Sequence, residues 1–292
     1  MKIIFFILFP LFSFSQQALF FQQNQDGAFV LHPPICSFSV RLLDSSYHGY
    51  CMKVRRSSDS TTQDIGFVSG NLDTASLKTF VGAGSGYVSI WYDQSSFGND
   101  ATQTTLSRQP EIVNTGVVNR ENTKPALVFN ATSTYLAVTN NPLTGLSSVS
   151  FLGVANFSTA SSSEELFVQA NGLVGTGVFE VRRSGTGNAL SCISNNVTTS
   201  GTQAINAQKL ITVYGSNNGA LYSYINGVKN FSVKATGTGS SATIGNYPCL
   251  IGYRNSTLYF GGTIQEIIVY KENNLMGRSS LESAINSYYS IY

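Results

Sequence analysis

The chain has 292 residues, of which only 11% are charged, with a formal net charge of +2. That charged fraction is far below the roughly 25% of ordinary globular proteins, and Ser, Thr, Asn and Gly carry the polarity instead. Such a surface excludes a nucleic-acid binder, which needs a basic stripe, and the near balance of charge points to no electrostatically recruited partner.

Lys2 and the apolar run Ile3–Phe12, broken by Pro10, precede Ser13-Phe14-Ser15. This is the three-part pattern of a secretory leader, with cleavage expected after Ser15. The run is about half of the ~20 residues a membrane span requires, and no later segment is apolar for long enough. The expectation is a secreted, extracellular or cell-surface protein with no membrane span. Residues 16–36, Gln-rich and carrying Pro33-Pro34, read as an N-terminal extension. Residues 37–292 read as one domain, a size that all-β folds often reach without dividing.

Within that domain, short apolar-alternating runs are separated by turn residues. Phe38–Asp44 and Tyr50–Arg56 are predicted strands, with Ser45–Gly49 as the loop of a hairpin. Leu72–Phe80 is a predicted helix capped by Asp73 or Thr74. Strands follow at 87–92, 126–130, 134–138, 148–156, 164–170, 177–183, 189–194, 209–215, 220–225, 228–233, 248–252, 257–260 and 263–270. Asn226-Gly227 separates two of them and tolerates the positive φ angles of a type I′ hairpin turn. A short C-terminal helix is predicted over Ser279–Tyr288, with Ser279 or Ser280 and Glu282 in a capping arrangement. Many strands and almost no helix mean a sandwich, jelly roll or barrel, and no 20–50-residue repeat suggests a propeller or solenoid.

Four cysteines, Cys36, Cys51, Cys192 and Cys249, permit two disulfides in an exported chain, in any of three pairings. Cys36–Cys51 would close a short loop and is preferred, leaving Cys192–Cys249. The competing reading is four free cysteines buried as small apolar residues. No spacing matches a metal site, and His32 and His48 stand near no second ligand pair, so no zinc site or cofactor is expected; calcium stays open, with no dense acidic loop to support it. The basic clusters Lys53, Arg55, Arg56 and Arg182, Arg183 read as solvent-facing strand edges.

Two stretches are distinctive. One runs from Arg41 to Phe67, through Asp44-Ser-Ser-Tyr-His-Gly-Tyr-Cys-Met-Lys-Val-Arg-Arg56. The other is Trp91-Tyr92-Asp93-Gln94-Ser95-Ser96-Phe97-Gly98-Asn99-Asp100. In this order and separation they resemble the catalytic domain of fungal α-L-arabinofuranosidase B and its relatives in bacterial surface and phage tail proteins. The C-terminal Leu250-Ile-Gly-Tyr253 and Phe260-Gly-Gly-Thr-Ile-Gln-Glu-Ile-Ile-Val-Tyr270 resemble the closing strands of laminin G-like and concanavalin A-like domains. The resemblance implies an antiparallel two-sheet β-sandwich of the jelly-roll, concanavalin A-like kind.

It also implies a site with a departure in it. Retaining glycosidases need a nucleophile and an acid/base about 5–5.5 Å apart. The family's acid is an Asp in a Gly-Gly-Asp-Asn stretch, where this chain has Gly252-Tyr253-Arg254-Asn255-Ser256. Neither Arg254 nor Asn255 can exchange a proton near neutral pH. The family's nucleophile lies near an adjacent-cysteine pair and an Asn-Ala-Glu stretch, both missing here. Glu164, Glu165 and Glu180 are the acids of the middle third, and none is assigned as a nucleophile.

The candidate ligand-binding residues are Tyr253, Arg254 and Asn255 on that loop, with Trp91 and Asp93 in the second motif. For Trp91 core packing, and for Asp93 fixing of the Gly98-Asn99 turn, are the stronger readings. Glu266 in the closing strand reads as a structural acid. The favoured function is a non-catalytic carbohydrate-recognition or adhesion module, with glycan or polysaccharide as partner and surface or virion assemblies as further partners. An arabinofuranosidase-like hydrolase and a purely structural assembly protein are the alternatives.

Overall fold

The computed structural model describes residues 21–23, 29–31, 33–157, 163–171, 177–184, 189–194, 197–205, 207–216, 220–234, 243–254, 257–271 and 277–292. The leader assigned to residues 1–15 lies outside them, as do Asn255 and most of the extension. Within the extension, Phe21–Gln23 and Phe29–Leu31 pair as a two-stranded ribbon.

The chain is mostly β, and every strand pairing among the described residues is antiparallel. Among the described residues, 19 strands share one hydrogen-bonded network. Its spine is the Gly261–Tyr270 strand. One flank pairs with Ser148–Phe157, and the other pairs with Leu127–Asn130 and then Cys36–Ser39. Both long strands are buried along nearly their whole length, so they read as apolar runs and not as strict alternations. From Ser148–Phe157 the network continues through Gln208–Ser216, Ala220–Ile225 and Val228–Lys234. The last turn is the expected one: Asn226 and Gly227 have φ of 53° and 75°, and Ile225 faces Val228.

A meander of Glu164–Gln169, Phe179–Ser184, Ala189–Ser194 and Val197–Ala204 joins the network through Cys249–Ile251. On the other side, Met52–Arg56, Gly86–Trp91 and Glu111–Asn114 lie in sequence and reach Leu127–Asn130. The expected hairpin around Ser45–Gly49 does not form. Cys36–Ser39 pairs with the closing strand instead, and Met52–Arg56 turns back onto Thr62–Ile65. The Gln94 side chain takes the place of a neighbouring strand there. Its amide donates to the carbonyls of Ser39 and Arg41 at 3.1 and 3.0 Å and accepts from Leu43 N at 2.9 Å.

Two helices flank the network. Thr74–Val81 is capped by Asp73, whose carboxylate accepts from Ser76 N and Oγ, and it buries Leu77 and Val81. Arg278–Tyr289 buries Leu281, Glu282, Ile285 and Tyr289. The expected serine cap is replaced by Gly277 in a left-handed conformation with no side-chain cap. Glu282 is used elsewhere: it pairs with Arg278 and accepts from Thr212 Oγ1 at 2.7 Å.

Glu266 is fully buried and ties the two ends of the domain together. Arg41 donates to it from Nε and Nη2 at 2.8 and 2.9 Å, and Ser39 Oγ and Tyr289 OH complete its shell at 2.7 and 3.0 Å. The Arg41 guanidinium also lies over the rings of Tyr288 and Tyr289.

Candidate functional site

The Trp91–Asn99 motif is architectural. Trp91 has no exposed surface; its ring lies 5.8 Å from Phe38, and its indole nitrogen faces the Ser39 carbonyl at 3.4 Å. A ring so enclosed offers no face to a sugar, so its candidacy as a stacking platform is corrected to core packing. Asp93 is 3% exposed. It accepts from Ser37 N at 2.8 Å, Ser95 N at 2.9 Å, Ser95 Oγ at 2.5 Å and Asn99 N at 2.8 Å. These donors use its lone pairs, so Asp93 is a clasp between the turn and the first core strand, not a ligand contact.

The loop that follows Ile251 is a small hairpin, Tyr253–Arg254 against Leu258–Tyr259. Gly252 begins it with φ of 84°, and a Cβ there would meet Phe129 Cδ1 at 2.7 Å. Neighbouring residues of a strand point to opposite sides, and here the division is sharp. Tyr253 lies outward and half-buried in a column of rings: 4.8 Å from Tyr135 and 4.6 Å from Tyr259, inclined by 30° and 28°. Arg108 covers the Tyr135 end and donates to its hydroxyl at 3.2 Å. Arg254 turns inward, is 4% exposed and donates from Nη1 to Glu180 Oε1. Arg254 is therefore spent on an internal ion pair, which corrects its candidacy as a surface ligand contact.

Glu180 belongs to a buried cluster that sequence inspection left as three unassigned acids. Glu164, Glu165 and Glu180 all have no exposed surface. Glu164 faces Arg183 across the ladder, and Glu165 faces Arg182. Arg183 Nη2 is 3.0 Å from Glu164 Oε1, and Arg182 Nη1 is 3.5 Å from Glu180 Oε1. The arginine pair is thus not a solvent-facing edge, since Arg183 is completely buried. Burial pushes the Glu164 carboxyl up to about 7, against the pull of Arg183. Burial, and then the Glu180 charge, hold Glu165 well above the usual carboxylate range. A signal for this cluster was present: Glu164-Glu165 and Arg182-Arg183 end consecutive strands, where antiparallel pairing sets them opposite one another.

Two adjacent carboxyl groups are the raw material of a retaining glycosidase. Here both are enclosed, and Arg254 is paired with one of them. The described pockets open elsewhere.

All four cysteines are free and buried, which corrects the expected disulfides. Each sits in a ladder or core position: Cys36 opposite Val269 and Cys192 opposite Val181, Cys249 opposite Val138, and Cys51 donating to the Ser39 carbonyl. Burial raises each thiol well above its ordinary pKa, as for small apolar residues. Among the described residues, no group of His, Cys, Asp and Glu is arranged to hold a metal ion, and no helix is long and apolar enough to cross a membrane.

Residues 32–172 match the family model described as "Alpha-L-arabinofuranosidase B, catalytic". An arabinofuranosidase complexed with arabinofuranosyl-α-1,2-xylobiose superposes with a TM-score of 0.65 and 17% identity, over 87% of this chain and 62% of that one. A glutamate-to-glutamine mutant of a GH54 α-L-arabinofuranosidase, soaked with 4-nitrophenyl α-L-arabinofuranoside, gives 0.67 at 17% identity over the same shares. A GH54 enzyme soaked with a cyclic sulfate inhibitor gives 0.66 at 18%. The chain therefore has the fold of these enzymes and spans about three-fifths of their length. No curated protein matches it.

Proposed function

We propose that this protein is a secreted, non-catalytic carbohydrate-recognition module, built as a concanavalin A-like two-sheet sandwich over residues 37–292. The observation that carries the reading is the ion pair of Arg254 with Glu180. The arginine stands where the resembling enzymes have a catalytic acid, and its guanidinium neutralises a buried glutamate. A glutamate so paired and without exposed surface has no open face from which to attack an anomeric carbon. The same hairpin carries Tyr253 outward into the Tyr135–Tyr259 column. Tyrosine edges and hydroxyls at a surface suit the mixed apolar and polar faces of sugars.

A glycan array probed with the protein lacking residues 1–15 tests this, with Tyr253→Ala beside it. Saturable binding to a defined glycan, weakened in the variant, is expected. Silence across plant, algal and bacterial glycans would leave the purely structural reading. The hydrolase reading retains one observation in its favour, the adjacent carboxyl groups of Glu165 and Glu180. Turnover of 4-nitrophenyl α-L-arabinofuranoside that disappears in Glu180→Gln would establish it and overturn the non-catalytic reading.

A further inference from the structure

A second site, away from the buried acids, is formed on the exposed face of the strands Met52–Arg56, Gly86–Trp91, Glu111–Asn114 and Leu127–Asn130. Arg55, Tyr87, Glu111 and Val128 form one row across it, since Arg55 faces Tyr87, Tyr87 faces Glu111, and Glu111 faces Val128. The turn Leu106–Arg108 walls one side, and Asn130 with Thr134 forms another wall. The pocket is open to one side and its volume is about 480 Å3, inside the roughly 300–1,000 Å3 range of small-molecule pockets.

The floor is rigid before any ligand arrives. Arg55 is 8% exposed; it donates from Nε to Gln109 Oε1 at 2.7 Å and from Nη2 to the Leu106 carbonyl at 3.3 Å, and stacks 4.8 Å above the Tyr87 ring. Gln109 in turn donates to the Gln103 carbonyl at 2.9 Å. Asn130 Oδ1 accepts from the backbone nitrogens of Thr132, Ser133 and Thr134. One Glu111 oxygen accepts from Asn119 at 3.2 Å. Tyr87, Ser107 and Glu111 line the pocket, and among the described residues the Tyr87 and Ser107 hydroxyls and the other Glu111 oxygen have no hydrogen-bond partner. The basic side chain read from the sequence as a strand edge is therefore the buried floor of a cavity.

We infer that this cavity binds a neutral saccharide unit of the glycan chain. Three features of the lining select that class. Its formal charges are one arginine and one glutamate, and the arginine is committed to Gln109, to a carbonyl and to a ring, so no free cation awaits a uronate or sialate. The unclaimed groups are two hydroxyls and one carboxylate oxygen, the acceptors and donors that sugar hydroxyls satisfy. Leu106, 51% exposed at the mouth, with Val128 on the floor, supplies apolar surface for the C–H face of a ring. The pocket also neighbours the tyrosine column: Arg108 belongs to the walling turn, Tyr135 N donates to the Arg108 carbonyl at 3.1 Å, and Tyr253 lies next in line. A chain seated by one unit in the pocket would extend along Tyr135, Tyr253 and Tyr259.

This inference rests on the carbohydrate reading, and the test separates the two. Neutral, uronate-containing and sialylated oligosaccharides are arrayed against the wild type, Ser107→Trp and Tyr253→Ala. Ser107 is exposed on the turn, so the indole fills the mouth without disturbing the core. Circular dichroism melting curves check that each variant is folded. Expected is binding of neutral glycans only, reduced at least tenfold by Ser107→Trp and less by Tyr253→Ala. Binding lost in Tyr253→Ala but unchanged in folded Ser107→Trp would overturn the pocket and leave the carbohydrate reading standing. Binding confined to acidic glycans would overturn the assigned ligand class. Absence of all glycan binding would overturn both.

Discussion

Removing Arg254 by Arg254→Ala should strongly destabilise the protein at neutral pH, although the residue lies in a surface hairpin. The variant leaves Glu180 with no exposed surface and, among the described residues, only Arg182, at 3.5 Å, as a cation partner. Breaking a buried ion pair from one side costs about 3–5 kcal/mol, because the remaining charge is uncompensated. In a domain of this size each kcal/mol lowers the melting temperature by roughly 2–4 °C, so a loss of about 6–20 °C is expected. The double variant Arg254→Met, Glu180→Leu removes both charges at similar volume and should recover most of the loss, since apolar replacements of buried pairs are often neutral. Thermal and urea unfolding at pH 7 measure both variants. A single-variant loss below about 1 kcal/mol, or a double variant as unstable as the single one, would refute a buried, mutually dependent pair.

Glu164 sets a pH dependence. Its folded pKa of about 7 exceeds its unfolded value, so the folded state binds more protons over that interval. Its contribution is complete below the unfolded pKa and is lost as pH rises through 7; Glu164→Gln should flatten the fall in melting temperature between pH 5 and 8. Asp93→Ala removes four hydrogen bonds. It should cost about 3 kcal/mol or more in urea unfolding, at 1.5–3 kcal/mol per charged bond with partial replacement by water, while leaving glycan binding intact. The four cysteines should react with a thiol reagent only as the protein unfolds; two or fewer thiols released on denaturation without reductant would restore the disulfide reading.

Much of the strand layout was legible in the sequence because apolar alternation and turn residues are local signals. The 148–157 and 261–270 strands, the Asn226-Gly227 turn and both helices lie within a few residues of expectation. Short strands such as Glu111–Asn114 escaped notice, being too brief for a pattern. The site was less legible. That Tyr253 and Arg254 diverge follows from strand alternation, but which one turns inward depends on Glu180, 74 residues away. Arg55 looked like surface charge because nothing near it in sequence reveals Gln109 or the ring of Tyr87. Trp91 and Asp93 stand in the most recognisable motif of the chain, yet they serve the scaffold, because a residue can be indispensable to a backbone turn and touch no ligand.

The spine of the network has a consequence for how the chain acquires its shape. Cys36–Ser39, Leu127–Asn130 and Ser148–Phe157 all hydrogen-bond to Gly261–Tyr270, so three strands made early await one made near the end. Such distant pairings close large loops before any enthalpy returns, which slows folding. During synthesis the waiting strands expose unpaired edges of the kind that recruit other chains. A nascent chain that stops short of residue 261 would have every core strand but the spine, and would be a template for aggregation instead of a smaller version of the protein.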